Sequence, residues 1–139
     1  MMPAVTDNAL GWMLDQALQG VPHALDAILF STDGLLIAHS AGLGRDDAEP
    51  LAAGLSASAA LARQNSGTLA DGPRGWRQSI DEYEGGYRLL MAAGPGAMLA
   101  ATASTRVNLG ELTYQLQKLV QRVGKELTSP PRQDTGSPS

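Results

Sequence analysis

The sequence predicts an α+β domain: three helices and a five-stranded antiparallel sheet in the order α-ββ-α-βββ-α, with helices covering both faces. Three observations predict it. Apolar residues recur at helical spacing near both ends of the chain, an Asp-Gly pair separates two strand-like runs, and glycines cut a third stretch into short pieces. A chain of 139 residues suits one domain. No repeat or linker interrupts 7–128, so that span reads as the domain. Residues 1–6 carry no pattern, and 129–139 are rich in Pro, Ser and Gly with nothing to bury, so both ends are expected to be disordered.

The first helix carries Leu10, Met13, Leu14, Ala17, Leu18 and Val21 on one face. Thr6, Asp7 and Asn8 offer cap oxygens before it, and Gly20 with Pro22 stops it. Ala27–Ser31 and Leu35–Ala38 flank Thr32-Asp33-Gly34, a hairpin signal because both Asp and Gly tolerate positive φ. Both runs are almost continuously apolar, which predicts a hairpin covered on two faces. A second helix is expected over 47–65, with Leu51, Leu55, Ala59 and Ala62 facing inward. Its adjoining side, Gly54, Ala57, Ser58 and Leu61, is mostly small, and small side chains let another backbone approach. Glycine within a helix costs about 1 kcal/mol relative to alanine, so Gly54 asks for a packing reason. Alanine-rich composition explains that side equally well.

Three strands follow. Trp76–Tyr83 is polar and mixed, whereas Tyr87–Ala92 and Ala97–Thr102 are apolar. Gly85-Gly86 and Gly94-Pro95-Gly96 leave room only for short antiparallel connections. The last helix begins at Asn108, with Glu111 at capping-box spacing, and runs through Leu109, Leu112, Leu116, Leu119, Val120, Val123 and Leu127.

Composition removes several function classes. There is no cysteine, so disulfides, thiolate metal sites and cysteine nucleophiles are excluded. Ten cations against fourteen acids give a net charge of −4, which argues against a nucleic-acid-binding footprint. Charged residues are only 17% of the chain, a low share that favours a partner subunit over a fully solvated monomer. The N-terminus shows no basic or apolar leader segment, and no apolar run approaches the ~18 residues of a spanning helix. A cytoplasmic protein is expected, peripheral to a membrane only through its partners.

Chemistry-bearing motifs are missing as well. No phosphate-binding G-x-x-x-x-G-K-[ST] occurs, and Gly42-Leu43-Gly44-Arg45 and Gly94-Pro95-Gly96 read as turns. His23 and His39 are the only histidines, and no motif places an acid beside either. Asp46, Asp47 and Glu49 sit where a helix macrodipole favours acids, so a metal site is the weaker reading. Asp81, Glu82 and Glu84 read as solvated turn residues. The chain is expected to be no enzyme, with no catalytic residue, no cofactor and no metal.

In its element order and in particular stretches the chain resembles the bacterial branch of the roadblock/dynein light chain family, over about 8–128. The stretches are Leu10-Gly11-Trp12-Met13-Leu14, Val21-Pro22, Ile28 to Ala38 around Asp33-Gly34, and the Gly42-Leu43 to Arg45-Asp46 junction. Leu109-Gly110, Tyr114-Gln115-Leu116 and Leu119 to Gly124 complete them. The resemblance implies a homodimer in which the middle helix and third strand join two sheets. It also implies regulation or anchoring of small Ras-like GTPases, or a place in a complex with a sensor histidine kinase. The residues agree independently with a dimer. Trp76–Tyr83 would otherwise be a bare edge strand. Gly54, Ala57, Ser58, Leu61, Trp76, Gln78 and Ile80 are therefore the candidate interface.

Three functions compete: a GTPase-partner module, a pure scaffold, and a PAS-like small-ligand sensor, against which the alanine-rich middle helix is expected to fill space. Arg45, Arg63 and Arg77 are the candidate partner contacts and, with Arg74, the candidates for a donated arginine finger, each more simply read as a solubilising charge.

Overall fold

A computed structural model describes residues 5–68 and 75–128. The elements are α1 (Val5–Gln19), β1 (Ala24–Ser31), β2 (Leu36–His39), α2 (Arg45–Asn65), a 3-10 turn (Ser66–Thr68), β3 (Gln78–Tyr83), β4 (Gly86–Ala92), β5 (Ala97–Ser104) and α3 (Leu109–Thr128). All strand pairs are antiparallel, in the order β2-β1-β5-β4-β3. The expected α-ββ-α-βββ-α order and five-stranded sheet are what is found. The last eleven residues, 129–139, and residues 1–4 lie outside the described part.

Side chains along a strand alternate faces, and here each face has its own helices. Ala27 and Leu29 of β1, Leu89 and Met91 of β4, and Leu99 and Ala101 of β5 pack with α1 and α3. Ile28, Phe30, Leu90, Met98 and Ala100 point the other way, under Ala48, Ala52, Leu55 and Ala59 of α2. That two-faced cover is why the hairpin strands read as continuous apolar runs. Leu112, Leu116, Leu119 and Val123 of α3 are fully buried. At about 1.5–3 kcal/mol each, they make α3 a principal source of stability.

Local chemistry explains the boundaries. Asn108 Oδ1 accepts from Glu111 N at 2.9 Å, so Asn108 caps α3 as its sequence position predicts. In the β1–β2 turn Gly34 takes positive φ, at +88°, and Asp33 does not. Gly34 N donates to Ser31 O at 2.9 Å and Ser31 N to Leu35 O at 2.8 Å. A three-residue loop with one left-handed glycine satisfies that hydrogen bonding. Gly86 is needed for space: a Cβ there would run into the Ala103 carbonyl oxygen.

Two expectations shift. α1 starts at Val5, so Thr6, Asp7 and Asn8 belong to its first turn and do not precede it. In α2 the buried stripe is Ala48, Ala52, Leu55 and Ala59, while Leu51 is 38% exposed and Ala62 only half-buried. The expected stripe was rotated about the helix because leucine was taken as the inward marker. Alanines let α2 lie close on the sheet, and the larger side chain is turned aside.

Candidate interaction face

The outer side of α2 carries Gly54, Ala57, Ser58 and Leu61, all exposed, with Leu61 58% accessible. A Cβ added at Gly54 would meet nothing within 4 Å. Within one chain, then, the glycine has no packing reason. Leu51 adds a second exposed leucine to this side.

β3 forms one edge of the sheet, and from Ile80 onward every residue of it is exposed. Its register with β4 assigns the faces. Ser79 stands opposite Leu90 and Asp81 opposite Arg88, on the α2 side, whereas Gln78 and Ile80 stand opposite Met91 and Leu89, on the α1/α3 side. The seven predicted interface residues are thus divided. Gly54, Ala57, Ser58, Leu61 and Trp76 are on the α2 side, and Gln78 and Ile80 project from the other face of the same edge. Ser79, Asp81 and Tyr83 share the α2 side.

Trp76 is half-buried against the α2-side core. Its Nε1 donates to Ser79 Oγ at 3.0 Å. The Arg63 guanidinium lies 5.7 Å from the centre of that indole, and its Nη2 is 3.3 Å from the Met98 sulfur. Arg63 is therefore a clamp between α2 and the lead into β3, not the loose surface charge the sequence suggested. Arg45 is exposed and pairs with Glu49 at 3.1 Å. Arg77 is exposed beside Gln117, Val120 and Gln121 of α3, on the opposite side of the sheet. Arg45 and Arg63 are separated by about 27 Å of helix at 1.5 Å per residue. These arginines do not converge on one site. Arg74 lies outside the described residues.

Sequence reasoning overlooked Arg88. It sits on β4, facing α2, with Nη2 3.3 Å from Asp81 Oδ2 and its guanidinium 5.4 Å from the Tyr83 ring centre. Its Nε is buried without a hydrogen-bond partner. The available signal was a lone cation in Tyr87-Arg88-Leu89-Leu90-Met91, a position where a buried charge is costly unless paired.

Arg88 borders two recesses. One is a cavity of about 180 Å³ between α2 and the sheet, lined by Asp26, Leu43, Leu51, Leu55 and Thr102 among others. The second is a groove of about 340 Å³ along Pro50, Leu51, Gly54, Leu55 and Ser58. The alanine-rich helix was expected to fill this space; instead its short side chains leave it partly open.

His39 Nδ1 lies 2.9 Å from the Ser40 carbonyl oxygen. The buried Ser40 Oγ donates to Asp26 Oδ1 and accepts from Ala27 N, both at 3.0 Å. Asp46 and Asp47 occupy the first turn of α2. Among the described residues no group of three His, Cys, Asp or Glu could hold a metal ion. Among them, too, no helix is long and apolar enough to cross a membrane.

The fold is a three-layer domain with β3 at an open sheet edge and exposed leucines on α2. The family model described as Roadblock/LC7 domain matches residues 10–103, so the chain belongs to the roadblock/LC7 family. A Roadblock/LC7 domain from Streptomyces avermitilis is similar at 31% identity, TM-score 0.80, over 86% of this chain and 98% of that one. The gliding protein MglB from Thermus thermophilus shares the fold at 16% identity and TM-score 0.77, over 91% of this chain and 93% of that one. MglB from Myxococcus xanthus does so at 16% identity and TM-score 0.78, over 88% of this chain and 97% of that one. No curated protein matches the sequence.

Proposed function

We propose that this chain is a non-catalytic homodimeric interaction module that binds a small Ras-like GTPase in a bacterial signalling complex in the cytoplasm. It acts by shape, on a surface that two copies complete, and it donates no catalytic side chain. The observation that carries the reading is the unfinished α2–β3 side. Exposed Leu51 and Leu61, the unfaced Gly54 and an open strand edge adjoin one another there. Exposed apolar surface beside an unpaired edge is what a protein partner covers. Membership in the roadblock family supports a GTPase as the further partner. The dispersal of Arg45, Arg63 and Arg77 supports action without a donated finger.

The test combines the chain with the small Ras-like GTPase encoded nearest its gene, then measures complex mass by light scattering and GTP hydrolysis with and without the chain. A complex holding two copies of the chain, with a changed hydrolysis rate, is the expected result. Binding at an unchanged rate would favour the scaffold reading, with a sensor histidine kinase complex as the next partner to assay. Failure to bind would overturn the GTPase reading. The cavity of about 180 Å³ beneath Leu55 gives the small-ligand reading its one support, and ligand-dependent melting shifts would establish it.

A further inference from the structure

We infer that the cavity between α2 and the sheet binds a small uncharged carbonyl compound with an aliphatic body, such as a ketone, ester or lactone. Arg88 Nε and the Thr102 hydroxyl hold its carbonyl oxygen. This rests on the small-ligand reading above, to which it adds a ligand class, and it is compatible with a bound GTPase.

The sheet register places the two donors. Asp81 of β3, Arg88 of β4 and Thr102 of β5 stand opposite one another in a row across the α2 side. Directly opposed residues in antiparallel strands have Cβ atoms about 4.5–5.5 Å apart, so the Arg88 and Thr102 side chains start as neighbours. Both line the cavity. Arg88 sets Nη2 against Asp81 and its guanidinium against the Tyr83 ring, which leaves the buried Nε a donor with no acceptor. Thr102 Oγ1 accepts from Asp26 N at 3.3 Å, a bond that does not use the hydroxyl hydrogen. A buried donor left unpaired carries its full desolvation penalty, so Nε calls for an acceptor that the chain itself does not supply.

The rest of the lining decides the class. Ile28, Leu43, Leu51, Leu55 and Ala100 make the walls aliphatic around a volume of about 180 Å³. A cavity of about 150 Å³ is enough for benzene, whereas water's share of its liquid is about 30 Å³. One water at Nε would leave most of this space empty. Charge argues against an ion. The Arg88 charge is already answered by Asp81, and the other charged side chain in the lining is Asp26. A carboxylate or phosphate would therefore add a negative charge where two acids already stand, and an ammonium would have to lie beside Arg88. What the site leaves unanswered is an N–H and an O–H, and a neutral carbonyl oxygen has the lone pairs to accept from both. Leu51, Leu55 and Arg88 also border the groove along Pro50, Gly54 and Ser58, so a ligand has a way in beside the exposed Leu51.

Cyclohexanone is the probe. Methylcyclohexane supplies the same outline without an acceptor, and cyclohexanecarboxylate supplies a charged counterpart. Titration of the isotope-labelled full chain in NMR follows the lining residues and the Nε–H signal of Arg88, identified by its loss in Arg88→Lys. Cyclohexanone is expected to move that signal saturably at millimolar concentration. Thr102→Val removes the hydroxyl and keeps the outline of the side chain, and it should weaken binding about fivefold, the worth of one hydrogen bond. Methylcyclohexane and cyclohexanecarboxylate should each bind at least about fivefold more weakly than the ketone, for the same reason. Equal binding of methylcyclohexane, or an unchanged affinity in Thr102→Val, would overturn the carbonyl assignment while the small-ligand reading stands. Tighter binding of the carboxylate would overturn the uncharged class. If no probe moves any signal of the lining, the space holds water only, and the small-ligand reading falls with the proposal.

Discussion

The sheet's two faces are covered by opposite strategies. On one face, α1 and α3 bury Met13 and a row of leucines against the strands, among them Leu10, Leu14, Leu112, Leu116 and Leu119. On the other, α2 rests on Ala48, Ala52 and Ala59, with Leu55 the one large side chain it buries. Alanine brings the helix near the sheet but covers little of it. The consequence is a cavity, a groove, two exposed leucines and a buried arginine nitrogen without a partner, all on the α2 side. The first face is closed by its leucine core, with Trp12 and Tyr114 exposed on the outer sides of its helices; the second, on the reading proposed above, is completed by another chain.

The largest effect that tests this contrast is on stability. Leu116→Ala removes a side chain that is 1% exposed in the closed face, and it should cost about 3–5 kcal/mol. Leu55→Ala, whose side chain already borders open space, should cost no more than about 2 kcal/mol, near the lower end for such a truncation. Urea unfolding at one fixed protein concentration measures both, because dimerisation makes stability depend on concentration. Equal losses would mean that α2 is as tightly packed as α3, and the contrast would break.

The second test concerns assembly. An indole placed by Gly54→Trp or Ala57→Trp projects into solvent in a single chain, since both positions are exposed and a Cβ at Gly54 meets nothing. Either change should leave the chain folded while overpacking any contact with a second copy. Light scattering at micromolar concentration is expected to show a native dimer and monomeric variants. An intact dimer in both variants would move the interface away from α2.

These two tests separate what the sequence made legible from what it did not. Periodicity located all three helices, and glycine spacing located the strands, because those signals are local. The rotation of α2 was misread because hydrophobicity ranks leucine above alanine. The sheet instead selects for closeness, which puts Ala48 inside and Leu51 at the margin. The meeting of the Trp76 indole with the Arg63 guanidinium was not legible in the sequence either, because it joins α2 to the lead into β3. Arg88 and Asp81 lie seven residues apart in sequence and stand opposite each other only through the β3–β4 register. The predicted interface residues on that edge divide between two faces for the same reason. A sequence reports alternation along a strand, but not which parity faces which helix.

Smaller effects sharpen the contrast at the level of single charges. With the GTPase bound, Arg45→Ala and Arg77→Ala should each change hydrolysis less than about tenfold, or ~1.4 kcal/mol of barrier. Arg63→Ala should behave likewise in hydrolysis but lower stability by about 1 kcal/mol, because it loses the Trp76 ring and the Met98 sulfur together. A donated arginine finger contributes 10³–10⁵ in rate. A thousandfold loss at one arginine, with binding intact, would therefore reveal a catalytic residue where the geometry shows a salt bridge or a clamp.

The smallest expected effect is at the C-terminus. Residues 129–139 follow α3, the helix that already closes its own face, and their Pro-, Ser- and Gly-rich sequence offers no apolar residue to bury. Burial of apolar surface is the main source of stability, so a segment with none to contribute should add almost nothing. A chain ending at Thr128 should melt within about a degree or two of the full chain and keep the same dimer mass. Calorimetry and light scattering on the two lengths measure this directly. A drop of many degrees would mean that the tail docks, and the groove along Leu51, Gly54 and Ser58 is the first surface to test for it. In that case removing the tail should also strengthen dimerisation by freeing the groove for a second copy. A melting loss without that gain would place the tail against the closed face, and the finished character of that face would then be in question.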